Sequence, residues 1–395
     1  MWEQIWQQGL LGSNFWHFLA ALLIMTHLTI LSVTIYLHRF SAHRSLELHP
    51  AVQHFFRFWV WLTTAQSTKE WTAIHRKHHA KCETEEDPHS PVVKGLKTVL
   101  LRGAELYKEA ATEETLKKYG NGTPDDWLER NLYTPHKMKG VFLMLAIDLL
   151  AFGPIGITLW AIQMLWMPVF AAGIVNGLGH HWGYRNFEVS DAATNISPWG
   201  IIIGGEELHN NHHTYPNSAK LSVKPWEFDI GWMWIQILSF LKLAKVRKVA
   251  PVPVKDTSKQ TLDLDAAKAA VHNRFQIMSA YTKTVIKPAI KEERAKASEE
   301  FQRLFNRAKK VLCRDETLLN EKAIKQRDQL LESHDLLNEI YKKKQELMEI
   351  WARRSKGGEE LLSALKQWCH EAEQSGIERL QEFAEQLKLY TLKMA

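Results

Sequence analysis

Read from its N-terminus, the chain alternates long apolar runs with polar stretches. Asn14 to Leu37 carries no formal charge over 24 residues, enough as a helix to cross about 30 Å of hydrocarbon. No basic residue precedes it and no small-residue cleavage site follows, so it does not read as a signal peptide. His17 and His27 inside it read as structural or interfacial. Glu3 stands before it and Arg39, Arg44 and Arg57 after it. Basic residues favour the cytoplasmic side, which puts the N-terminus outside and residue 38 onward inside. Ala51 to Thr68 is apolar but holds His54, Arg57 and Gln66, so it spans weakly or lies in the interface as an amphipathic helix. Residues 81–138 are polar and read as a soluble cytoplasmic insertion. Gly140 to His180 is a 41-residue apolar stretch broken by Gly153-Pro154-Ile155-Gly156, the pattern of a hairpin that crosses twice. Its one formal charge, Asp148, is either a functional acid or an interhelical hydrogen-bonding group. Ile230 to Leu243, with Trp232 and Trp234, is short and interfacial.

Beyond residue 250 the pattern changes. A linker over 251–263, opening on Pro251-Val252-Pro253, leads into a segment over 264–395 with helical spacing. Leu304, Ala308, Val311 and Leu318 follow a 3–4 step, as do Leu330, Leu337, Ile340, Leu347 and Trp351. A small helical bundle and a coiled coil both fit. Composition sharpens the division. Residues 1–250 hold 14 of the 16 tryptophans and 16 of the 19 histidines, with 44 charged residues; residues 251–395 carry 50 charged residues in 145 positions. The first part suits a membrane and the second suits water. The expected fold is therefore all-α: an integral membrane domain over 1–250, with about three spans, interfacial helices and a cytoplasmic cap, then a soluble helical C-terminal domain. Three scattered cysteines, Cys82, Cys313 and Cys369, exclude a disulfide framework. The net charge of +6 is spread out, so no nucleic-acid partner is expected.

The chemistry concentrates in histidine clusters: His38-Arg-Phe-Ser-Ala-His43, His75-Arg-Lys-His78-His79 and His209-Asn-Asn-His212-His213, with Asn176-Gly-Leu-Gly-His180 as a fourth candidate. In the second and third, positions i, i+3 and i+4 share a helical face, so three imidazoles can converge. His38 and His43 do not share a face of a regular helix and pair only where a helix ends. Nine histidines exceed the needs of one ion, since a structural zinc takes four ligands and a catalytic one three. Two ions absorb all nine and leave room for water or dioxygen. Imidazole suits iron, zinc or copper, and redox chemistry favours iron. The soluble di-iron plan needs Glu-x-x-His pairs on helices; Glu86–His89 and Glu206–His209 have that spacing, but Pro88 breaks the first. Metal-bound imidazoles need an acceptor for the other ring N–H, and Glu70, Asp87 and Glu206 are the candidates. Trp59, Trp61, Trp71 and Trp182 read as interface anchors or as liners of an apolar tunnel. His49, His54, His89 and His136 read as surface or supporting groups, His181 as a non-ligand and Cys82 as an ordinary thiol.

The strings HRFSAHRS, EWTAIHRKHH, EEDPHS and GEELHNNHHTYP, with NGLGH before the last, resemble the membrane-bound fatty acyl desaturases of the stearoyl-CoA type. They are most similar to bacterial acyl-CoA delta-9 desaturases with a long C-terminal extension. The resemblance covers roughly residues 14–245. It implies that His38, His43, His75, His78, His79, His180, His209, His212 and His213 bind two iron ions, with Asn176 acting through a water. It implies that dioxygen and two electrons convert adjacent methylenes of a saturated chain into a cis double bond. Two features depart from the animal enzymes. One span, not two, precedes the first histidine pair, and the Arg-Asp pair that grips the CoA headgroup aligns with Ala73 and Ile74. The carrier is thus open between acyl-CoA and a lipid. No His-Pro-Gly-Gly heme motif occurs, so a separate electron-donor protein, of reductase or ferredoxin type, is expected.

All clusters must meet on one side of the bilayer. This requires that residues 51–68 do not cross, leaving three crossings and a cytoplasmic metal centre and C-terminus in a cell inner membrane. The competing readings are a related di-iron hydroxylase and a non-catalytic scaffold with structural zinc. Donor docking, self-association through the C-terminal helices and membrane contact remain open for residues 264–395.

Overall fold

The computed structural model describes residues 7–11, 14–352 and 357–392. Glu3, used above for the topology, lies outside them. The chain divides into two compact units: residues up to Arg185 with Asp191–Ala250, and Asn186–Ser190 with the chain from Pro251 onward. It is mostly helical, and its short strands pair in twos.

In the first unit, helix α1 spans Phe15–Leu31, and the Asn14 side chain caps it by accepting the Trp16 N–H at 2.8 Å. The Thr29 and Ser32 hydroxyls donate to carbonyls one turn back, Met25 and Leu28, so their polar groups are satisfied inside an apolar helix. The helix then continues as an 11-residue π-helix, Ser32–Ala42. This accommodates the five-residue spacing that a regular helix cannot. The His43 N–H donates to the His38 carbonyl at 3.0 Å, and the two rings lie 4.8 Å apart.

Helix α2, Pro50–Thr64, starts at His49, whose Nδ1 accepts from the Ala51 N–H. It buries Phe56, Val60 and Trp61 and exposes Phe55 and Phe58, the two faces that an amphipathic helix requires. Helix α3, Thr68–Lys81, carries the second histidine cluster, and Ser67 Oγ caps it at the Glu70 N–H. Helix α4 is Leu96–Ala110. Helix α5, Lys137–Phe152, turns through Gly153–Ile155 into α6, Gly156–Trp166. A π-helix over Met167–Val175 and a final turn, Asn176–Leu178, complete this apolar stretch. The α5 and α6 halves fold back on each other, and Trp160 Nε1 donates to the Val141 carbonyl at 3.0 Å. Gly156 is required at that seam, because a Cβ there would collide with the Asp148 carbonyl. Asp148 is buried in the seam, away from the histidines, and its Oδ2 has no partner among the described residues. Among the described residues, Phe15–Ala42 and the 42-residue stretch Lys137–Leu178 are the two helices long and apolar enough to cross a membrane.

Helices α7, His209–Thr214, and α8, Ile230–Phe240, complete the unit. The residue after His38 ties them together. Arg39 is 1% exposed and donates to both oxygens of Asp229, at 2.9 and 3.2 Å, and to the Ala219 and Gly204 carbonyls, each at 2.8 Å. Asp229 in turn accepts the Leu221 and Trp232 N–H groups. Gly205, with φ +100°, permits this packing, since a Cβ there would press on Asp229 and on the Arg39 guanidinium.

The second unit is a small helical bundle. Its core holds Tyr281, Leu330, Leu337, Ile340, Leu347, Trp351, Trp368, Leu380 and Phe383. Among the described residues its longest helix is Asp335–Ala352, with 18 residues, and the apolar positions of that helix pack into this core. Lys344 is buried and donates to the Leu312 and Cys313 carbonyls, the last two residues of the helix Ala308–Cys313, where a cation is favoured. Val254–Lys255 pairs antiparallel with Tyr390–Thr391. The 251–263 stretch therefore folds partly into this unit instead of standing free as a linker.

Arg39→Ala leaves the Asp229 carboxylate buried and without its counter-charge, which costs about 3–5 kcal/mol. A fall in the thermal unfolding midpoint of the detergent-solubilised protein is expected. Arg247→Ala, which breaks a half-exposed pair with Glu47, should leave the midpoint nearly unchanged.

Candidate metal centre

The nine histidines converge from four places: the π-helix end, α3, the turn after Leu178, and α7. Ring nitrogens of His38, His43, His75, His79 and His212 all lie within 4.8 Å of one another. The closest Nε2 pairs are His43–His75 and His212–His79 at 2.8 Å, and His38–His212 at 3.1 Å. A second group joins His78, His180 and His213 with Cys82. In it His78 Nε2 faces His213 Nε2 at 3.4 Å, and His209, beside the group, brings its Nε2 to 3.0 Å from His180 Nε2. The face-sharing expected of α3 and α7 is thus divided. His75 and His79 belong to the first group and His78 to the second; His212 belongs to the first and His213 to the second, while His209 contacts His180 from beside the second. Neighbours on a helical face still diverge by tens of degrees, so one short helix can serve two adjacent centres.

Four carboxylates hold the outer ring nitrogens. Glu206 takes His38 Nδ1 at 2.7 Å, Asp87 takes His78 at 3.0 Å, Glu83 takes His180 at 2.9 Å and Asp191 takes His213 at 3.1 Å. An ionised carboxylate only accepts, so each of these Nδ1 atoms carries the proton and each Nε2 presents a bare lone pair. His78 and His213 then turn two lone pairs on each other at 3.4 Å. Such an arrangement is repulsive until a cation occupies the space between them. Burial, followed by the neighbouring imidazoles, holds His75, His79, His209, His212 and His213 well below the usual histidine range, and His43 is lowered by burial, His38 and Arg76. Rings of this kind are neutral at pH 7, the form that ligates metal. Burial alone would raise the carboxyls of Glu83, Asp87 and Glu206, but their histidine partners keep all three below the ordinary carboxylate range. The donor set fits two cations: five imidazoles at one position, and imidazoles with a neighbouring thiol at the other.

Of the acids singled out from sequence, Asp87 and Glu206 contact ligand rings. Glu70 does not: it pairs with Lys137 at 2.7 Å. Glu83 and Asp191 were missed. Glu83 follows the end of α3 with φ +63°, a left-handed backbone rare outside glycine, which turns its carboxylate onto His180, Ser90 and the Ala192 N–H. No local pattern announces Asp191, which reaches His213 only through the fold. His89 is 1% exposed and lies against His78 with ring centres 4.3 Å apart, tilted by 32°, so it is a buried supporting group and not a surface residue. His49, His54 and His181 are exposed.

A cavity of about 660 Å³ adjoins the centre, within the usual range for small-molecule sites. His38, His75, His209 and Glu206 form one part of its wall. Ile30, Val33, Val141, Trp160, Met164 and Met167 make an apolar part, and Gln66, Glu70, Lys108 and Lys137 a polar one. Asn176 also lines it, as does Tyr107. Of the four tryptophans expected in the walls, Trp71 is there. Trp59 donates to Thr29, Trp61 to the His136 carbonyl, and Trp182 is exposed. Trp160 lines the cavity in their place.

The family model described as Fatty acid desaturase matches residues 13–227. The chain belongs to the fatty acid desaturase family. Delta-9 acyl-lipid desaturase 1 of Arabidopsis thaliana is 28% identical over 62% of this chain and 85% of its own. The sn-1 stearoyl-lipid 9-desaturase of Anabaena variabilis is 28% identical over 56% of this chain and 79% of its own. Acyl-CoA 5-desaturase AL21 of Anemone leveillei is 29% identical over 56% and 68%. Residues 263–394 match a different family model, described as Transposase. The desaturase family implies an oxidoreductase of lipid metabolism, and the histidine clusters of this desaturase suit the iron pair that the family generally uses.

Neutralising one supporting acid should loosen the metal without removing a ligand. Asp87→Asn, Glu83→Gln and Asp191→Asn are each expected to weaken metal retention about 10–100-fold, read as metal per chain after dialysis against a graded chelator. Glu70→Gln should retain the parental metal content.

Proposed function

We propose that this desaturase is an oxygen-dependent di-iron enzyme that places a cis double bond, at the delta-9 position, in a saturated fatty acyl chain. The observation that carries the reading is the junction of an apolar cavity with converging imidazoles: His38, His75 and His209 sit both in the cavity wall and in the metal-binding constellation. Iron bound there supplies the redox chemistry with dioxygen. Two electrons, two protons and one dioxygen convert –CH₂–CH₂– into –CH=CH– and two waters. His38, His43, His75, His78, His79, His180, His209, His212 and His213 are the ligands in this reading, and Asn176 holds a metal-side water. Glu206, Asp87, Glu83 and Asp191 keep the ring protons on the outer nitrogens. The apolar wall excludes water and holds one pair of methylenes against the centre, an orientational contribution that a flexible chain needs.

The carrier is read as a lipid, supported by the names of the acyl-lipid relatives. Acyl-CoA is the second reading, favoured by Lys108 and Lys137 beside the cavity, where they suit a phosphate-bearing carrier. Three crossings, one from α1 and two from the α5–α6 hairpin, with the centre and C-terminus on the cytoplasmic face of an inner membrane, belong to the same proposal. So do electron delivery by a separate protein and descent from the extended bacterial stearoyl-CoA type.

Cells expressing the protein are expected to accumulate acyl chains with one new cis double bond at carbon nine, located by mass spectrometry. His78→Ala should abolish the product. An alcohol in place of the alkene would select the related hydroxylase, and turnover without dioxygen would overturn the proposal. Isolated protein supplied in parallel with stearoyl-CoA and with stearoyl phospholipid should convert the lipid; conversion of the thioester alone would select the second reading.

A further inference from the structure

The chain passes between its two units three times, after Arg185, after Ser190 and after Ala250, where one linker would suffice. The extra pair of passages belongs to a loop. Its base is pinched within the first unit, where the Tyr184 and Asn195 backbones exchange N–H···O bonds at 2.9 and 2.7 Å. Its tip, Asn186–Ser190, groups with the helical bundle. Ser279 Oγ donates to the Asn186 carbonyl at 3.1 Å, and Thr317 Oγ1 donates to the Ser190 carbonyl at 3.3 Å. Phe187 and Val189 are 2% and 9% exposed, so apolar side chains anchor the tip along with these hydrogen bonds. A loop closed at its base and packed by its own side chains holds a defined shape.

The returning limb of this loop serves the metal centre. Asp191 Oδ2 accepts from His213 Nδ1 at 3.1 Å, and its Oδ1 accepts the Ala193 N–H at 3.0 Å. The Ala192 N–H donates at 3.1 Å to Glu83 Oε1, the oxygen that also accepts from His180 Nδ1. Arg185 donates to the Asp191 and Ala193 carbonyls at 2.9 and 2.8 Å and laces the outgoing limb to the returning one. Two of the four carboxylates behind the rings therefore depend on a limb that begins one residue after the tip. A shift of about half an ångström takes a 3.1 Å contact out of hydrogen-bonding reach, and partners of this kind set the orientation of ligand rings.

We propose that the second unit is a positioning element of the metal centre: by gripping the tip Asn186–Ser190 it fixes Asp191 against His213 and the Ala192 N–H against Glu83. Phe187 anchors that grip and acts on the rings only through the loop. The inference rests on the paired metal centre proposed above, and it gives the bundle a role that needs no binding chemistry of its own.

Full-length protein in detergent tests it by two readings: metal per chain after dialysis against a graded chelator, and deuterium uptake by the amides of residues 191–195. Phe187→Ala is expected to weaken metal retention about tenfold and to speed exchange of the Ala192 and Ala193 amides severalfold. Ser279→Ala combined with Thr317→Val, both placed in the bundle, should move the two readings the same way by less. Trp368→Phe removes a buried hydrogen bond to the Lys343 carbonyl inside the bundle core and should move neither. Parental retention in Phe187→Ala, with or without faster exchange, would overturn the proposal. So would an equal loss of metal in Trp368→Phe, the mark of general instability. Failure of the unmutated protein to hold metal at all would instead overturn the paired centre on which this role depends.

Discussion

The first unit depends on keeping a crowd of imidazoles neutral, buried and aimed at one another. Neutral rings so close together gain little from mutual contact, because their inward lone pairs repel. Two things make the arrangement stable. Carboxylates hold the outer ring nitrogens of His38, His78, His180 and His213, and the inner nitrogens are arranged to suit cations. Much of what surrounds the centre serves one of these requirements. The buried Arg39–Asp229 pair fixes the end of the π-helix against the segment that leads into α8. The left-handed turn at Glu83 stores backbone strain to place one carboxylate.

The π-helix is the local device that makes the first histidine pair useful. A regular helix would send His38 and His43 to different sides; the wider turn brings their rings to 4.8 Å. The same device recurs over Met167–Val175, just before Asn176 and His180. Both π-segments lie where an apolar helix meets the metal centre. Each shifts the register of the residues that follow without ending the helix, so the apolar run and the ligand set can obey different periodicities.

The second unit follows a different logic. Its core is an ordinary helix-packing core built on Trp368, Tyr281 and the 330–351 stripe. Some of its charged residues pair on the surface, as Lys296 does with Glu292, and Lys343 and Lys344 are drawn inward onto Glu371 and helix-end carbonyls. Among its described residues no histidine cluster like that of the first unit occurs, and the segment matches a different family model.

The sequence by itself determined the separation of an apolar, histidine-rich part from a charged helical part, the apolar runs, and the identity of the nine histidines. These features are written in charge density, apolar length and close spacing along the chain. It also singled out Asp87 and Glu206, which sit within a few residues of the clusters. Tertiary structure decided the rest. It divided the rings between two positions, recruited Glu83 and Asp191, turned Glu70 away to Lys137, and set Trp160 in the cavity wall in place of three other tryptophans. Cys82 looked ordinary in sequence and lies close to His78, His180 and His213 in space. The reason is geometric: spacing along one helix reports which side chains share a face. Which ring faces which cation, and which acid meets its outer nitrogen, depends on elements more than a hundred residues apart, such as His38 and Glu206, whose meeting no local period encodes.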